Sequence, residues 1–216
     1  MKAIAVNGSP RKTWNTATLL ESALDGCRDG GAETEMVHLY DHLYRGCISC
    51  FACKRIGGKS YGRCQARDEL TPLLDNAAGT DILILGSPFY FHSESSAMRA
   101  FMERLLFPYL TYTPERTSIA PRTISTALVY TMNAPEEEMP LVFQDTSVAA
   151  SRRIMRHIFG SCDVLLSTDT YQFDDYSKYV TTRWDPEVKA KRRAEVFPKD
   201  RRQAYELGVQ LAADAK

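Results

Sequence analysis

The first two dozen residues constrain this chain most. Ile4-Ala5-Val6 is a short apolar run that reads as a buried strand. Gly8-Ser9-Pro10 breaks it sharply. Beyond Thr16, the residues Leu19, Leu20, Ala23 and Leu24 recur at i, i+1, i+4 and i+5, a helical spacing. A strand therefore ends in a small polar loop, and the loop opens a helix. Such a loop presents free backbone N–H groups and the positive end of a helix dipole, which together suit a phosphate. Ser9, Asn15 and Thr16 add neutral donors, and Arg11 adds a fixed positive charge. The loop is not a Walker A sequence, since no second Gly-Lys-Ser/Thr follows, and it is not Gly-x-Gly-x-x-Gly. By itself it serves equally as an ordinary strand-to-helix turn with no ligand.

Composition narrows the classes. Basic and acidic residues each number 27, so no net field draws the chain to nucleic acid or to an anionic membrane. A length of 216 residues suits one domain and is ample for a core. No run approaches the roughly 20 apolar residues of a membrane helix. The chain enters its first strand with no basic-then-apolar leader. A cytoplasmic protein with reduced thiols is expected, which makes disulfides the weaker account of the six cysteines.

Strands and helices alternate along the rest. The first helix runs to about Asp29, where Gly30-Gly31 ends it, and Thr34 to Leu39 reads as a second strand. An irregular cysteine-rich segment spans 41–68, and Glu69 to Ala78 is helical. Asp81 to Gly86 is a continuous apolar run, as a parallel strand covered on both faces requires. Ser87 to Phe91 then reads as a loop, Ser95 to Leu106 as a helix and Thr123 to Tyr130 as a strand. A loop from Asn133 to about Asp145, a helix from Thr146 to Phe159 and a strand at Val164–Leu166 follow, with a last helix from Asp200 to Ala213. This alternation specifies an α/β fold with a doubly wound, five-stranded parallel sheet of order 2-1-3-4-5. Ligands in such sheets bind beyond the strand carboxyl ends, at the switch point between strands one and three. The loops Gly8–Asn15, Pro88–His92 and Tyr130–Pro135 should meet there. The first suits phosphate. The second offers flat aromatic surface, and the third offers backbone groups.

Gly-Ser-Pro-Arg-Lys followed by Asn-Thr resembles the FMN phosphate loop of the flavodoxin-like NAD(P)H-dependent oxidoreductases, the NADPH-dependent FMN reductase group. Ile84-Leu-Gly-Ser-Pro-Phe-Tyr-Phe91, then Met98-Arg-Ala-Phe-Met-Glu-Arg104, is similar to that group's second FMN loop and following helix. The resemblance covers about residues 1–170, the FMN-binding domain it implies. It implies that Ser9, Arg11, Asn15 and Thr16 hold phosphate. Pro88, Phe89, Tyr90 and Phe91 would line the isoalloxazine, with Thr131, Met132, Asn133 and Ala134 approaching from the third loop. It also implies FMN as cofactor and NAD(P)H as reductant, with a small acceptor or a redox protein receiving the electrons. The flavin carries the chemistry, so no catalytic side chain is assigned.

Cys47-Ile-Ser-Cys50-Phe-Ala-Cys53, followed by Cys64, has the spacing that aims three thiolates at one point, as a cubane cluster needs. It resembles the cysteine cluster of the iron–sulfur flavoproteins, which share this fold. There an acidic stretch leads into a helix, as Asp68-Glu69-Leu70 does here. The chain departs from them in the ten residues between Cys53 and Cys64. Doubling such a gap costs only roughly 0.6 kcal/mol, and Gly57, Gly58 and Gly62 let it fold back. A [4Fe–4S] cluster, a structural zinc and metal-free or redox-active thiols all remain open. With a cluster, the chain would be an electron-transfer protein serving a ferredoxin-like partner. A flavin-binding sensor without turnover is a third reading. Cys27 and Cys162 read as small core residues.

The extension 171–216 begins with an aromatic excursion from Tyr171 to Val180, with Trp184 beyond it. It reads as an arm for a homodimer or higher homo-oligomer, or equally as a loop packed on its own subunit. Lys189–Arg193 and Arg201–Arg202 read as solvated helix faces. His38, His42, His92 and His157 show no metal-ligand pairing, and His92 follows the second loop.

Overall fold

The computed structural model describes residues 1–115, 117–138 and 147–216. Five parallel strands form the sheet: β1 (Lys2–Asn7), β2 (Glu33–His38), β3 (Ile82–Tyr90), β5 (Ser125–Thr131) and β6 (Asp163–Ser167). They lie in the order β2-β1-β3-β5-β6, the doubly wound order read from the sequence. A sixth strand, β4 (Ser93–Glu94), pairs antiparallel with the end of β3.

Alternation along each strand sorts the core into two layers. Ile4, Val6, Leu83, Leu85, Leu128 and Tyr130 face helices α2 (Leu70–Gly79), α3 (Ser96–Leu106) and α4 (Ser147–Phe159). Ala3, Ala5, Ile82, Ile84, Ala127 and Val129 face α1 (Asn15–Asp29) and the last helix, α6 (Phe197–Asp214). Both faces are covered, which is why the strands read as continuous apolar runs. The helices α1 and α6 approach backbone to backbone. A Cβ at Gly26 would overlap the Tyr205 carbonyl oxygen, and one at Gly208 would overlap that of Ala23. None of the described helices is long and apolar enough to cross a membrane.

Three features depart from the sequence reading. First, β3 does not stop at Gly86 but continues through Ser87 and Pro88, which pair with Tyr130 and Thr131. Phe89 and Tyr90 then pair with Glu94 and Ser93 across a two-residue turn. Phe91 and His92 form its tip at φ 49° and 62°, the left-handed geometry that tight hairpins require. The sequence carries no Asn-Gly signal there, so the hairpin was not legible. Second, α5 (Pro186–Glu195) is a separate helix. It opens on Asp185, whose carboxylate accepts from the Glu187 and Val188 amides, with Pro186 in the first turn. Third, the basic run 189–193 is not simply solvated, because Lys189 is buried and Arg193 reaches the first loop. The expected helix start at Thr146, and the part of the third loop beyond Glu138, lie outside the described residues.

A short 3-10 turn, Leu39–Asp41, leads into the segment 41–68, and a second, Ala52–Lys54, lies within it. Buried Arg104 on α3 fastens it. Its guanidinium donates to both Asp68 carboxylate oxygens, at 2.5 and 2.9 Å, and to the carbonyls of Arg45 and Ala66.

The Gly208→Ala variant tests the close α1–α6 contact. Overpacking of this kind costs roughly 1–3 kcal/mol. A urea denaturation midpoint unchanged from wild type would show that the two backbones do not need this approach.

Candidate functional site

Gly8 is the neck of the site. Its N–H donates to the Gly86 carbonyl at 2.8 Å, and its own carbonyl accepts from Ser95 Oγ at 2.6 Å. A Cβ at Gly8 would lie 2.7 Å from Met98 Cβ, so only glycine fits. The loop beyond it is preformed. Ser9 N–H donates to Asn7 Oδ1 at 2.9 Å, and Arg11 N–H donates to Ser9 Oγ at 3.1 Å. Trp14 precedes α1 without a side-chain cap, so the first-turn amides stay available to a ligand.

The second wall is the β3–β4 hairpin. Phe89 packs edge-on against Tyr130, centroids 5.7 Å apart, and Phe91 is fully exposed at the tip. Beneath it lies buried Glu94. Tyr130 OH and Ser151 Oγ each donate to Glu94 Oε1 at 2.6 Å, and Ser93 Oγ donates to Oε2 at 3.1 Å. Burial alone would raise this carboxyl's pKa. The hydrogen bonds from Ser151 and Tyr130 outweigh burial and hold it below the ordinary glutamate value.

The third wall follows β5. Thr131 and Thr16 hydroxyls hydrogen-bond at 2.7 Å, joining the third loop to α1. Met132 N–H donates to the Ser167 carbonyl, and the Asp169 and Thr170 amides return to the Ala134 and Met132 carbonyls.

Between these walls lies a cavity of about 610 Å³. From the first loop Ser9, Arg11, Asn15 and Thr16 line it, from the second Pro88 to Phe91, and from the third Thr131 to Ala134. Sequence reasoning did not place Trp14, Glu138 or the extension there. Tyr171, Gln172, Phe173 and Trp184 form a fourth wall within the same chain. The Tyr171 carbonyl accepts from Asn15 Nδ2 at 2.8 Å and from Trp14 Nε1 at 3.1 Å. The Gln172 carbonyl accepts from the Arg11 guanidinium. The aromatic richness of 171–184 was the available signal, but its target could not be read from it. His92 also lines the cavity.

The cysteines are arranged differently. Cys47 and Cys50 are exposed and Cys53 is buried, while Cys64 is half-buried and accepts from Arg104 Nε at 3.4 Å. Among the described residues, no three Cys, His, Asp or Glu side chains gather as a metal site would need. A cluster requires its thiolates to converge. The segment as folded does not fit one. Cys27 and Cys162 are buried in the core, and burial pushes each thiol up to about 11.

The fold and cavity define an open, doubly wound α/β protein of flavodoxin architecture, with its pocket at the topological switch point. The chain belongs to the NADPH-dependent FMN reductase family, whose model matches residues 1–118. An iron–sulfur flavoprotein of Methanocaldococcus jannaschii is 36% identical over 104 residues, covering 48% of this chain and 51% of the relative. The chain thus spans about half the length of the curated relatives it matches. The fold matches an NAD(P)H:quinone oxidoreductase of Methanothermobacter marburgensis, with TM-score 0.67 and 14% identity over 98% of both chains. It also matches an FMN-dependent NADH-azoreductase of Bacillus anthracis in complex with FMN, with TM-score 0.67, 12% identity and coverage of 98% and 99%. At these identities the structural matches speak to the fold.

Glu94→Gln tests the carboxylate under the hairpin. A carboxyl held below its ordinary pKa in the folded state stabilises the fold above the unfolded value. That contribution is lost as pH falls through the folded value. The wild-type stability advantage over Glu94→Gln is therefore expected at pH 7 and should shrink below about pH 4.3. Urea unfolding at pH 7 and pH 3 checks it, and an advantage flat across that range would remove the ionised Glu94 from this role.

Proposed function

We propose that the protein is an FMN-dependent NAD(P)H oxidoreductase that passes reducing equivalents from a nicotinamide to a small acceptor or redox protein. One observation carries the reading: a single cavity is lined by a phosphate-suited loop, an aromatic hairpin and a polar third loop. Its volume of about 610 Å³ falls within the roughly 300–1,000 Å³ of small-molecule sites. Its donors fit FMN. Arg11, Ser9, Asn15, Thr16 and the uncapped first turn of α1 suit a phosphate. Pro88, Phe89, Tyr90 and Phe91 offer a flat apolar wall for the ring, and Thr131, Met132, Asn133 and Ala134 reach its polar edge.

Bound FMN supplies a ring that accepts hydride and hands its electrons on. The chain's part is to bind, orient and shield. Arg11 neutralises the phosphate and acts on affinity rather than rate. Phe173, stacked on Tyr179 at 4.0 Å, and Trp184 give the cavity an aromatic wall. In this reading residues 1–170 form the FMN-binding domain, and 171–216 are the extension that completes it. On the same reading the protein works in the reducing cytoplasm, where its cysteines stay thiols. Exposed Tyr90 and Phe91 at the cavity rim suit a second subunit of a homo-oligomer.

FMN added to the purified protein is expected to bind one equivalent, with its fluorescence quenched, and to bleach on adding NADH or NADPH. Protein that leaves FMN fluorescence unchanged would sink the reading. Arg11→Ala should weaken FMN about tenfold or more, the loss expected for one charge-assisted bond. Unaltered retention would take Arg11 out of the phosphate site.

A second reading is favoured by the spacing Cys47, Cys50, Cys53 and by the similarity to the iron–sulfur flavoprotein of Methanocaldococcus jannaschii. In it, segment 41–68 is reordered around an iron–sulfur cluster, with Cys64 released from Arg104 as the fourth ligand. Anaerobic purification should then yield about four iron and four sulfide per chain. Iron-free protein with full flavin content would leave the first reading alone.

A further inference from the structure

Two cations on one face of α5 reach two different loops of the cavity. Lys189 and Arg193 stand four residues apart, one helical turn. Lys189 Nζ donates to Asn133 Oδ1 at 2.5 Å and also to the Asp169 carboxylate. It lies 4.6 Å from the centre of the Trp184 ring. Arg193 Nη1 donates to Asn15 Oδ1 at 2.7 Å. Neither cation lines the cavity itself, whereas both asparagines do.

The chemistry of these contacts is one-sided. Ammonium and guanidinium groups are donors only, so each can meet an amide oxygen and never an amide NH₂. At Asn133 α5 therefore favours oxygen over nitrogen, and at Asn15 it does so together with the Tyr171 carbonyl. Each NH₂ is turned away from the cation that holds its oxygen. At Asn15 that NH₂ already donates to the Tyr171 carbonyl on the cavity wall. An amide left free to flip could turn its oxygen toward an anion, where two acceptors repel.

We propose that Lys189 and Arg193 are positioning residues, locking the Asn133 and Asn15 carboxamides as donors toward the cofactor. The site then selects a ligand with acceptors at both ends: phosphate oxygens near Asn15 and ring carbonyl or hydroxyl oxygens near Asn133. The inference rests on the FMN reading and goes beyond it, since it gives the ligand selectivity to a helix outside the cavity.

The test compares FMN with riboflavin, which lacks the phosphate, by fluorescence titration. Arg193→Met should raise the FMN dissociation constant about tenfold and change riboflavin less than about twofold, reducing the preference for FMN. Arg193→Lys should restore most of that preference. In an Asn15→Ala background Arg193→Met should cost little more, because the two act as one unit. Additive losses would mean that Arg193 acts by its charge alone and would overturn the proposal. Lys189→Met would leave Asp169 unpaired, so the double variant Lys189→Met/Asp169→Asn is used. It should weaken FMN and riboflavin by the same factor and lose nothing further with Asn133→Ala. Wild-type protein that binds no flavin would remove the FMN reading itself. Wild-type binding with Arg193→Met at full FMN affinity and preference would overturn this inference alone.

Discussion

The hydrogen bond from Gly8 N–H to the Gly86 carbonyl is the point on which the site turns. The two strands it joins send their chains to opposite faces of the sheet, α1 to one and α3 to the other. A cleft opens at that parting because the two connections leave in opposite directions. Both glycines are forced by contact. A Cβ on Gly8 would meet Met98, and one on Gly86 would meet Leu20. Ser95 then closes the junction through the Gly8 carbonyl, at the same time capping α3 through the Met98 amide. The neck of the cavity, the start of α3 and the end of β3 are thus one rigid unit.

Around that unit, buried charge braces the walls. Glu94 holds the hairpin from below, Lys189 holds the third loop and Arg104 holds both ends of the cysteine segment. Buried charges stabilise only when fully satisfied, and removing one partner is costly. Glu94 is satisfied from β4, β5 and α4, and Lys189 from the third loop and the loop after β6, so these two walls are tied to their neighbours, while Arg104 ties the cysteine segment to α3. The left-handed Phe91 and His92 fit this pattern. Strained backbone persists where its surroundings over-determine it, and Glu94 sits directly beneath that turn in the hairpin.

The cysteine segment follows a different logic. Three thiols share a local spacing, yet one is buried, two are exposed, and Cys64 is engaged by a guanidinium. Local spacing sets which thiols can meet. The anchors Glu103 and Arg104 set where they stand, through the Cys47 amide and the Asp68 carboxylate.

The sequence by itself determined the layers and the chemistry of the three loops. Strand alternation, helix period and loop composition are local, and each is written within a dozen residues or so. That is why Ser9, Arg11, Pro88 and Thr131, which line one cavity, stood out in the sequence, and why the order of the parallel strands followed from connectivity rules. Only the tertiary structure decided what covers those loops. Arg11 meets Gln172 across 161 residues, and Asn15 meets Arg193 across 178. A basic run such as 189–193 has the same local signature whether it faces water or an amide oxygen. The difference lies in where α5 lands after β6, which no local periodicity records.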